Sequence, residues 1–426
     1  MNGFKEAMIQ ILAIIIFLSG YIVISQEHFL LISKTSVSLI IGVVLWLLVL
    51  ISGNDVGAAL SESGSEIFEL IIFLLSAMTL VEILTHFGLF DIIYNKLISY
   101  KLKDKGQFFI ISFLTFIFSA ILDNLTSTIV FLQIASRFFR GKNLVRAAAA
   151  IIIAANAGGA FSPIGDVTTT MLWLSNKFST QTIITQAFLP SLMVFLVSTL
   201  LIGRSISVDT KDIKEKSIIL SKTDWIIIAL CLLSFLLPIV MTLVRLPPYF
   251  GLLLGLGIIW LVMDLAKIRA PHNTKLRISI EKLFQNTDIA SLYFFIGILI
   301  AIAALSHLGV LDEISYRVFG EFPSVVRIIS GNIIIGGLSA FFDNIPLTAA
   351  AIDIVRTTDP NLWVLLAITV GVGGSLLLIG SAPGIVAMSI VRNLTFSSYL
   401  SIATIPALIG YGTGIAVWLM QYYLIF

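Results

Sequence analysis

Long apolar runs separated by short polar segments make up most of this chain. A helix needs about 20 mostly apolar residues to cross a bilayer. We predict ten crossings, at about 7–25, 37–53, 67–86, 144–172, 183–203, 224–243, 249–266, 289–306, 362–391 and 400–424. The strict alternation of membrane-spanning strands is absent from these runs. The pattern therefore predicts an all-α polytopic membrane protein.

Two further apolar pairs have arms that are too short for comfortable crossings. The first pair is 108–122 with 125–139, and the second is 324–342 with 345–357. Each pair turns at an Asp-Asn dipeptide. We predict that 108–139 and 324–357 are re-entrant hairpins whose tips lie near the middle of the membrane.

The two hairpins belong to an internal repeat. Ser119–Thr128 matches Ser339–Thr348 without a gap, and a glycine pair follows each segment. A histidine-bearing segment also precedes each one, so three markers recur in the same order about 220 residues apart. A duplicated membrane unit with paired helix breaks is typical of a secondary transporter whose site lies at the repeat interface. The glycine pairs are Gly158-Gly159 and Gly373-Gly374, and the histidines are His86 and His307.

Charge predicts how the repeats are oriented. Hydrophobic residues make up 58% of the chain, charged residues only 12%, and the mean hydropathy is +1.05. Basic clusters before and after the first hairpin place both of its ends in the cytoplasm, whereas the loop 54–66 has no Lys or Arg and is predicted outside. Each half has five of the predicted crossings, an odd number, so the second half must be inverted. We divide the chain into repeats 1–215 and 216–426, joined by a charged linker over 204–223.

The first apolar run, 7–25, also resembles a signal peptide in length. Its flank carries only Lys5 beside Glu6, and cleavage would leave residue 26 outside, contrary to the parity of the crossings. We therefore expect a retained helix. The single cysteine, Cys231, allows neither a disulfide nor a thiolate metal site.

Asp123 and Asp343, at the two hairpin tips, are the strongest candidates for chemistry. An ionised carboxylate inside a membrane costs several kcal/mol unless it is paired or hydrated, so it suggests function by default. The structural alternative is a helix N-cap for the second hairpin arm, and both can hold at a tip that faces an aqueous cavity. Asn124 and Asn344 either supply amide oxygens to a cation or stabilise the turn.

The glycine pairs predict unwound backbone within the helices 144–172 and 362–391. Unwinding frees carbonyl oxygens and helix ends that can hold an ion, although close helix packing through small residues is the alternative. Asp166 follows the first pair, and its counterpart is the neutral Ser381. Hydroxyls at Thr126 and Ser162 add further oxygens. The two hairpin tips and the two glycine-rich segments contain no Lys or Arg, so we expect a cation rather than an anion.

Glu82 and His86 are four residues apart and therefore share one helix face. They form a possible proton path between the site and the cytoplasm. The alternative is an ordinary pair at a helix end near the lipid headgroups.

With these motifs the chain resembles the NhaD-type sodium/proton antiporters of the ion-transporter superfamily, which also contains arsenite permeases and divalent-anion:sodium symporters. The segments that carry the resemblance are Ile121–Ser127, Asn156–Thr169, Phe342–Thr348 and Gly373–Gly384. It implies a scaffold and a transport domain, a homodimer, a bacterial inner membrane, and exchange of Na⁺ (often Li⁺) for H⁺. We expect Na⁺ and protons to compete for Asp123, Asp343 and Asp166, with no resident cofactor, lipid and small cations as partners, and no nucleic acid.

Two alternatives remain open. A sibling permease would carry an anion such as arsenite or a dicarboxylate, but basic residues are missing, and Asp replaces the Ser of the Ser-Asn-Thr tips of dicarboxylate symporters. An intramembrane aspartyl protease would need two acids within hydrogen-bond distance that share a proton. A protease has no need for two glycine-rich breaks in register.

Overall fold

The protein is a multi-pass helical membrane protein. The computed structural model describes residues 2–53, 56–100, 102–206, 220–269, 282–283, 287–321 and 323–424. All regular elements in this part of the chain are helices, and nine helical segments there are long and apolar enough to cross a membrane. Most of the predicted linker, including Asp209 and Lys216, lies outside the described residues.

The first half of the chain forms ten of the described helices. They are α1 Asn2–Ser25, α2 Glu27–Leu30, α3 Lys34–Ser52, α4 Val56–Phe87, α5 Leu89–Ser99, α6 Asp104–Leu122, α7 Asn124–Phe138, α8 Gly141–Gly159, α9 Val167–Leu174 and α10 Thr180–Gly203. The described helices of the second half are α11 Lys222–Ser234, α12 Leu237–Leu243, α13 Tyr249–Arg269, α14 Ile289–His307, α15 Val310–Phe319, α16 Val325–Leu338, α17 Asn344–Ile354, α18 Pro360–Gly373, α19 Ala382–Ile390, α20 Phe396–Tyr399 and α21 Ile405–Leu424. A π-helical turn, Leu400–Thr404, precedes α21.

Eight of the ten predicted crossings coincide with the long apolar segments. The other two, 144–172 and 362–391, are each divided into two helices, α8 with α9 and α18 with α19. The interruptions follow Gly159 and Gly373, where the glycine pairs predict them. Glycine is a poor helix former, which favours a break at these positions.

Two predicted boundaries are wrong. The segment 54–66 was expected to be a loop, but α4 begins at Val56 and continues without a break to Phe87. The arm 108–122 was expected to be too short to cross, but α6 begins at Asp104 and has 19 residues. Asp104 lies in the first turn of α6, where a negative charge interacts favourably with the helix dipole. Length therefore gives no reason to regard α6 as re-entrant.

The described residues divide into two compact units. Unit 1 comprises Met1–Leu75, Asp288–Gly331 and Ile345–Thr358, and unit 2 comprises Ser76–Thr287, Asn332–Asn344 and Asp359–Phe426. Each unit draws on both halves of the chain. The division into repeats 1–215 and 216–426 is an equivalence of sequence and stays a prediction.

In unit 1, α3 packs closely against α14. A Cβ atom built at Gly42 would lie 2.8 Å from the carbonyl oxygen of Gly297, so the two backbones touch. The indole Nε1 of Trp46 donates to the carbonyl oxygen of Ile300 at 2.9 Å. His307, one of the repeat markers, lies beside the Trp46 ring, with 5.6 Å between the ring centroids. This histidine therefore has a structural explanation.

In unit 2, α8 and α18 form the core. Every residue of α8 from Ala147 to Gly159, and every residue of α18 from Leu362 to Gly373, is buried. A helix that is apolar on all sides requires burial on all sides. The two helices that end at the glycine pairs are thus the most enclosed elements of the unit, and Asp166 and Ser381, at the ends of the breaks that follow them, are buried as well.

Candidate functional site

Asp123 caps helix α7 at the predicted hairpin tip. Its Oδ1 accepts from the backbone N–H of Thr126 at 2.8 Å, and its Oδ2 accepts from the Thr126 hydroxyl at 2.6 Å. Its φ angle is +97°, a left-handed conformation that L-residues rarely adopt. The N-cap interpretation of Asp123 is therefore confirmed, and such backbone strain is common at functional sites.

The same cap occurs elsewhere in the molecule. Asp288 begins α14, and its two carboxylate oxygens accept from the backbone N–H and the hydroxyl of Ser291 at 3.1 and 2.5 Å. Asp288 is exposed and has an ordinary negative φ of −74°. The cap bonds alone therefore do not mark Asp123 as functional. Its strained backbone and its surroundings distinguish it from Asp288.

A chain of amide hydrogen bonds leads from Asn124 to the second glycine-rich break. Asn124 Nδ2 donates to Asn156 Oδ1 at 3.1 Å, and Asn156 Nδ2 donates to the hydroxyl oxygen of Ser381 at 3.1 Å. All three side chains are buried. The chain brings together residues from α7, α8 and the start of α19. Asn156 was missing from the predicted site residues, although it lies two residues before the first glycine pair.

Asp166 begins α9 immediately after the first glycine-rich break. Its Oδ1 accepts from the backbone N–H of Thr168 at 3.2 Å, and its side chain is only 3% exposed. Its Oδ2 is buried, and within the described residues no donor forms a hydrogen bond to it. A buried carboxylate oxygen without a donor is costly, so this atom calls for a proton or a cation.

The second half presents Asn344 at the tip that matches Asn124. Its Oδ1 accepts from the Ser339 hydroxyl, and its Nδ2 lies 3.5 Å from the carbonyl oxygen of Gly371. The single proton of the Ser339 hydroxyl is shared between Asn344 Oδ1 and the carbonyl oxygen of Val370, which lies 2.9 Å away. Asn344 thus fastens the tip to the backbone of α18 just before the glycine pair.

Backbone contacts recur at matched positions of the two halves. A Cβ atom at Gly158 would lie 2.1 Å from the carbonyl oxygen of Phe116, and one at Gly373 would lie 2.0 Å from that of Gly336. The Ser119 hydroxyl donates to the carbonyl oxygen of Ala155, as that of Ser339 does to Val370. Both glycines are required by close approach of backbone, so the packing interpretation holds alongside the break.

The backbone at the two breaks is also alike. Asp166 has φ −148° and ψ 142°, and Ser381 has φ −144° and ψ 151°. Each residue stands at the N-cap of the helix that follows. The same backbone therefore presents a carboxylate in the first half and a hydroxyl in the second.

The remaining predicted residues are placed as follows. The charges of Asp123 and Asp343 both act on Asp166, so the three carboxylates lie in one electrostatic neighbourhood. The described residues contain no group of three His, Cys, Asp or Glu side chains that could hold one metal ion. The hydroxyl of Ser162 accepts from the backbone N–H of Ile164 within the break. Glu82 and His86 lie one turn apart on α4, both half-buried.

Comparison with known proteins decides the family. A family model described as "Citrate transporter" matches residues 14–371. The chain belongs to this transporter family. Among its relatives, "Sodium/proton antiporter 1" of Arabidopsis thaliana is 33% identical over 94% of this chain and 70% of its own length. "Sodium/proton antiporter 2" of the same plant is 33% identical over 94% and 97%. "Na(+)/H(+) antiporter NhaD" of Alkalimonas amylolytica is 30% identical over 97% and 91%.

Membership of the family resolves two predictions. The resemblance to NhaD-type antiporters is confirmed, because relatives of that name match nearly the whole chain. The family consists of transporters, so the protease alternative is excluded. The family description and the names of these relatives point to different cargoes, an organic anion and a cation, and the side chains of the site must distinguish them.

Proposed function

We propose that this protein exchanges Na⁺, or Li⁺, for H⁺ across the membrane. The observation that carries the proposal is the Oδ2 atom of Asp166, which is buried and accepts no hydrogen bond from the described residues. A buried carboxylate is tolerated only when it is paired with a positive charge or neutralised by a proton. A site that can be satisfied by either species, but not by both at once, is what exchange requires.

The surrounding side chains favour a cation over citrate. The segments 119–128, 156–169, 339–348 and 371–384 contain no Lys or Arg. Carboxylates of a substrate are normally held by such residues or by many free amides. An anion would instead meet the charges of Asp123, Asp166 and Asp343. The sodium/proton antiporter relatives agree with this argument.

In the proposed cycle, Asp123, Asp343 and Asp166 alternately bind cation and proton. Oxygen atoms of Asn124, Asn344, Thr126 and Ser162, with backbone carbonyls of the breaks, complete the cation's surroundings, whereas the hydroxyl oxygen of Ser381 accepts from Asn156 and stays outside them. Hard cations such as Na⁺ prefer oxygen ligands of this kind. Glu82 and His86 provide the path by which protons reach the carboxylates.

Exchange is tested with the pure protein in liposomes that contain a pH-sensitive dye and start acidic inside. Addition of NaCl outside should raise the internal pH within the mixing time of a stopped-flow experiment. Choline chloride should give no response, and neither should liposomes without protein. A citrate-dependent response with no response to Na⁺ would instead establish an anion transporter.

Competition between the two ions predicts how pH affects Na⁺ binding. Where the site is mostly protonated, each unit of pH increase removes nine-tenths of the competing protons, so the half-saturating Na⁺ concentration should fall by up to about tenfold per unit. At saturating Na⁺ the rate should become nearly independent of pH. A pH dependence that stays equally steep at saturating Na⁺ would indicate a separate pH-sensing group.

We also propose that the two halves are inverted and, although α6 is long enough to cross, that the segments 108–139 and 324–357 are re-entrant, because each turns at its Asp-Asn dipeptide within an apolar stretch. Single cysteines at Lys103 and Lys142, which are exposed and flank the first hairpin, should react only with a thiol reagent added on the cytoplasmic side. Cysteines at the exposed residues Ser324 and Thr358, which flank the second hairpin, should react only from outside. Labelling of all four positions from one face would disprove the inversion.

The resemblance further supports a homodimer in the inner membrane of a bacterium. The mass of the protein in detergent, measured by light scattering after subtraction of the bound detergent, tests the oligomeric state. A monomer mass across the concentration range of the experiment would contradict the dimer.

A further inference from the structure

Two positions in α8 and α18 break the equivalence of the halves at the site. Asn156 lies two residues before the glycine pair Gly158-Gly159, and Gly371 lies two residues before Gly373-Gly374. These are matched positions, because each precedes its own break by the same number of residues. One has an amide side chain, and the other has none.

Each of the two positions faces the N-cap residue of the other half. Asn156 Nδ2 donates to the hydroxyl oxygen of Ser381 at 3.1 Å. A Cβ atom built at Gly371 would lie 3.2 Å from Asp166 Oδ2 and 3.3 Å from the Cβ of Ala160. Exchanging the halves therefore converts the Asn156–Ser381 pair into the Gly371–Asp166 pair.

The two pairs differ in how their oxygen atom is satisfied. At Ser381 a fixed amide donor of the protein approaches the oxygen. At Asp166 the corresponding side chain is missing, and Oδ2 is buried without a donor among the described residues. The amide donor at Ser381 is part of the protein and cannot be exchanged. Asp166 Oδ2 has no such donor, so it can bind a cation or a proton that later leaves.

From this asymmetry we infer that Gly371 keeps open the position beside Asp166 Oδ2 where the transported cation binds, and that the amide of Asn156 closes the matched position beside Ser381. The second half then has no cation site equivalent to the one at Asp166. This inference rests on the proposed cation exchange, and it names the residue pair that decides which half receives this ion.

The first test places an amide where the structure has none. Gly371→Asn should supply an N–H donor to Asp166 Oδ2 and raise the half-saturating Na⁺ concentration at least about tenfold, the loss expected when one interaction with a charged group is replaced. Gly371→Ala is the matched control, because it adds the Cβ atom without the donor. The Cβ atom itself crowds Asp166 Oδ2, so Gly371→Ala should also lose affinity, and the additional loss in Gly371→Asn measures the amide.

The second test opens the matched position. Ser381→Asp alone should bind an additional Na⁺ only weakly, because Asn156 still donates to one oxygen of the new carboxylate. The double variant Asn156→Gly with Ser381→Asp reproduces the Asp166–Gly371 arrangement in the other half and should bind one more Na⁺ per chain than the wild type. The backbone at Ser381 already has the conformation found at Asp166, which favours folding of both variants.

Both tests use equilibrium binding of radioactive Na⁺ to the whole protein in detergent at alkaline pH, with folding checked by size exclusion and melting temperature. A folded Gly371→Asn variant with wild-type Na⁺ affinity would overturn the inference. An extra Na⁺ bound as tightly in Ser381→Asp alone as in the double variant, or none in the folded double variant, would overturn it as well. If the folded wild type binds no Na⁺, the proposed exchange itself fails, and this outcome is distinct from the others.

Discussion

Replacement of Asp123 by asparagine is expected to abolish exchange while the protein still folds and inserts. Asparagine keeps an oxygen for the backbone N–H of Thr126, so the cap of α7 survives. It removes the negative charge that a cation and a proton would share. Loss of one partner of a buried charge pair typically costs 3–5 kcal/mol, so the exchange rate at subsaturating Na⁺ should fall by more than about 100-fold. Asp343→Asn should behave in the same way.

Asp288→Asn is the control for this experiment. Asp288 forms the same pair of cap bonds, to the backbone and hydroxyl of Ser291, but it is exposed. The control variant should exchange Na⁺ at the wild-type rate in the same liposomes, because only a cap is altered. If Asp123→Asn exchanges ions at the wild-type rate, Asp123 is only an N-cap, as Asp288 is, and does not belong to the site.

Gly158→Ala is expected to destabilise unit 2 strongly, although it adds only a single methyl group. The new Cβ atom would meet the carbonyl oxygen of Phe116 at 2.1 Å, and a backbone oxygen cannot turn aside as a side chain can. Overpacking of a tight core costs 1–3 kcal/mol and occasionally more, so we expect about 3 kcal/mol or more here. The fraction of protein that stays monodisperse in detergent after heating measures this effect.

Gly257→Ala provides the matched control. Gly257 lies within α13 and has no atom within 4 Å of the position of an added Cβ. Alanine is the better helix former, so this variant should be as stable as the wild type or more stable by up to about 1 kcal/mol. If Gly158→Ala has the same melting temperature as the control, helix α8 must be able to move away from α6. The close packing of the two helices would then not be required for stability.

The apolar pattern predicted most of the helices but not where they begin. Ser61, Glu62 and Glu66 are polar, so a search for apolar runs starts this crossing only after them. Serine and glutamate are nevertheless compatible with a helix, and α4 includes all three. Hydropathy reports the preference of a segment for lipid, whereas helix length also depends on backbone hydrogen bonds that continue into water. The same reason accounts for the turn that α6 gains at Asp104.

The repeat marks Asp123, Asp343 and both glycine pairs as a candidate site in the sequence, and their role in binding stays a prediction. The structure adds that Asp123 is strained, that one oxygen of Asp166 lacks a donor, and that Asn156 joins Asn124 to Ser381. A single amide within an apolar run such as Ala147–Gly159 gives no signal in sequence periodicity. Its significance depends on Ser381, which is 225 residues away along the chain and close only after folding.

The contacts of Gly158 and Gly165 with the backbone of α6 have a mechanical consequence. Where backbone meets backbone, no flexible side chain can adjust to a sliding motion, so we expect α6, α8 and the break after α8 to move together. A covalent clamp between them, such as a cysteine pair replacing Ser119 and Ala155, would therefore leave the turnover rate unchanged. The displacement that carries the cargo across the membrane must then take place at surfaces other than the contact between α6 and α8.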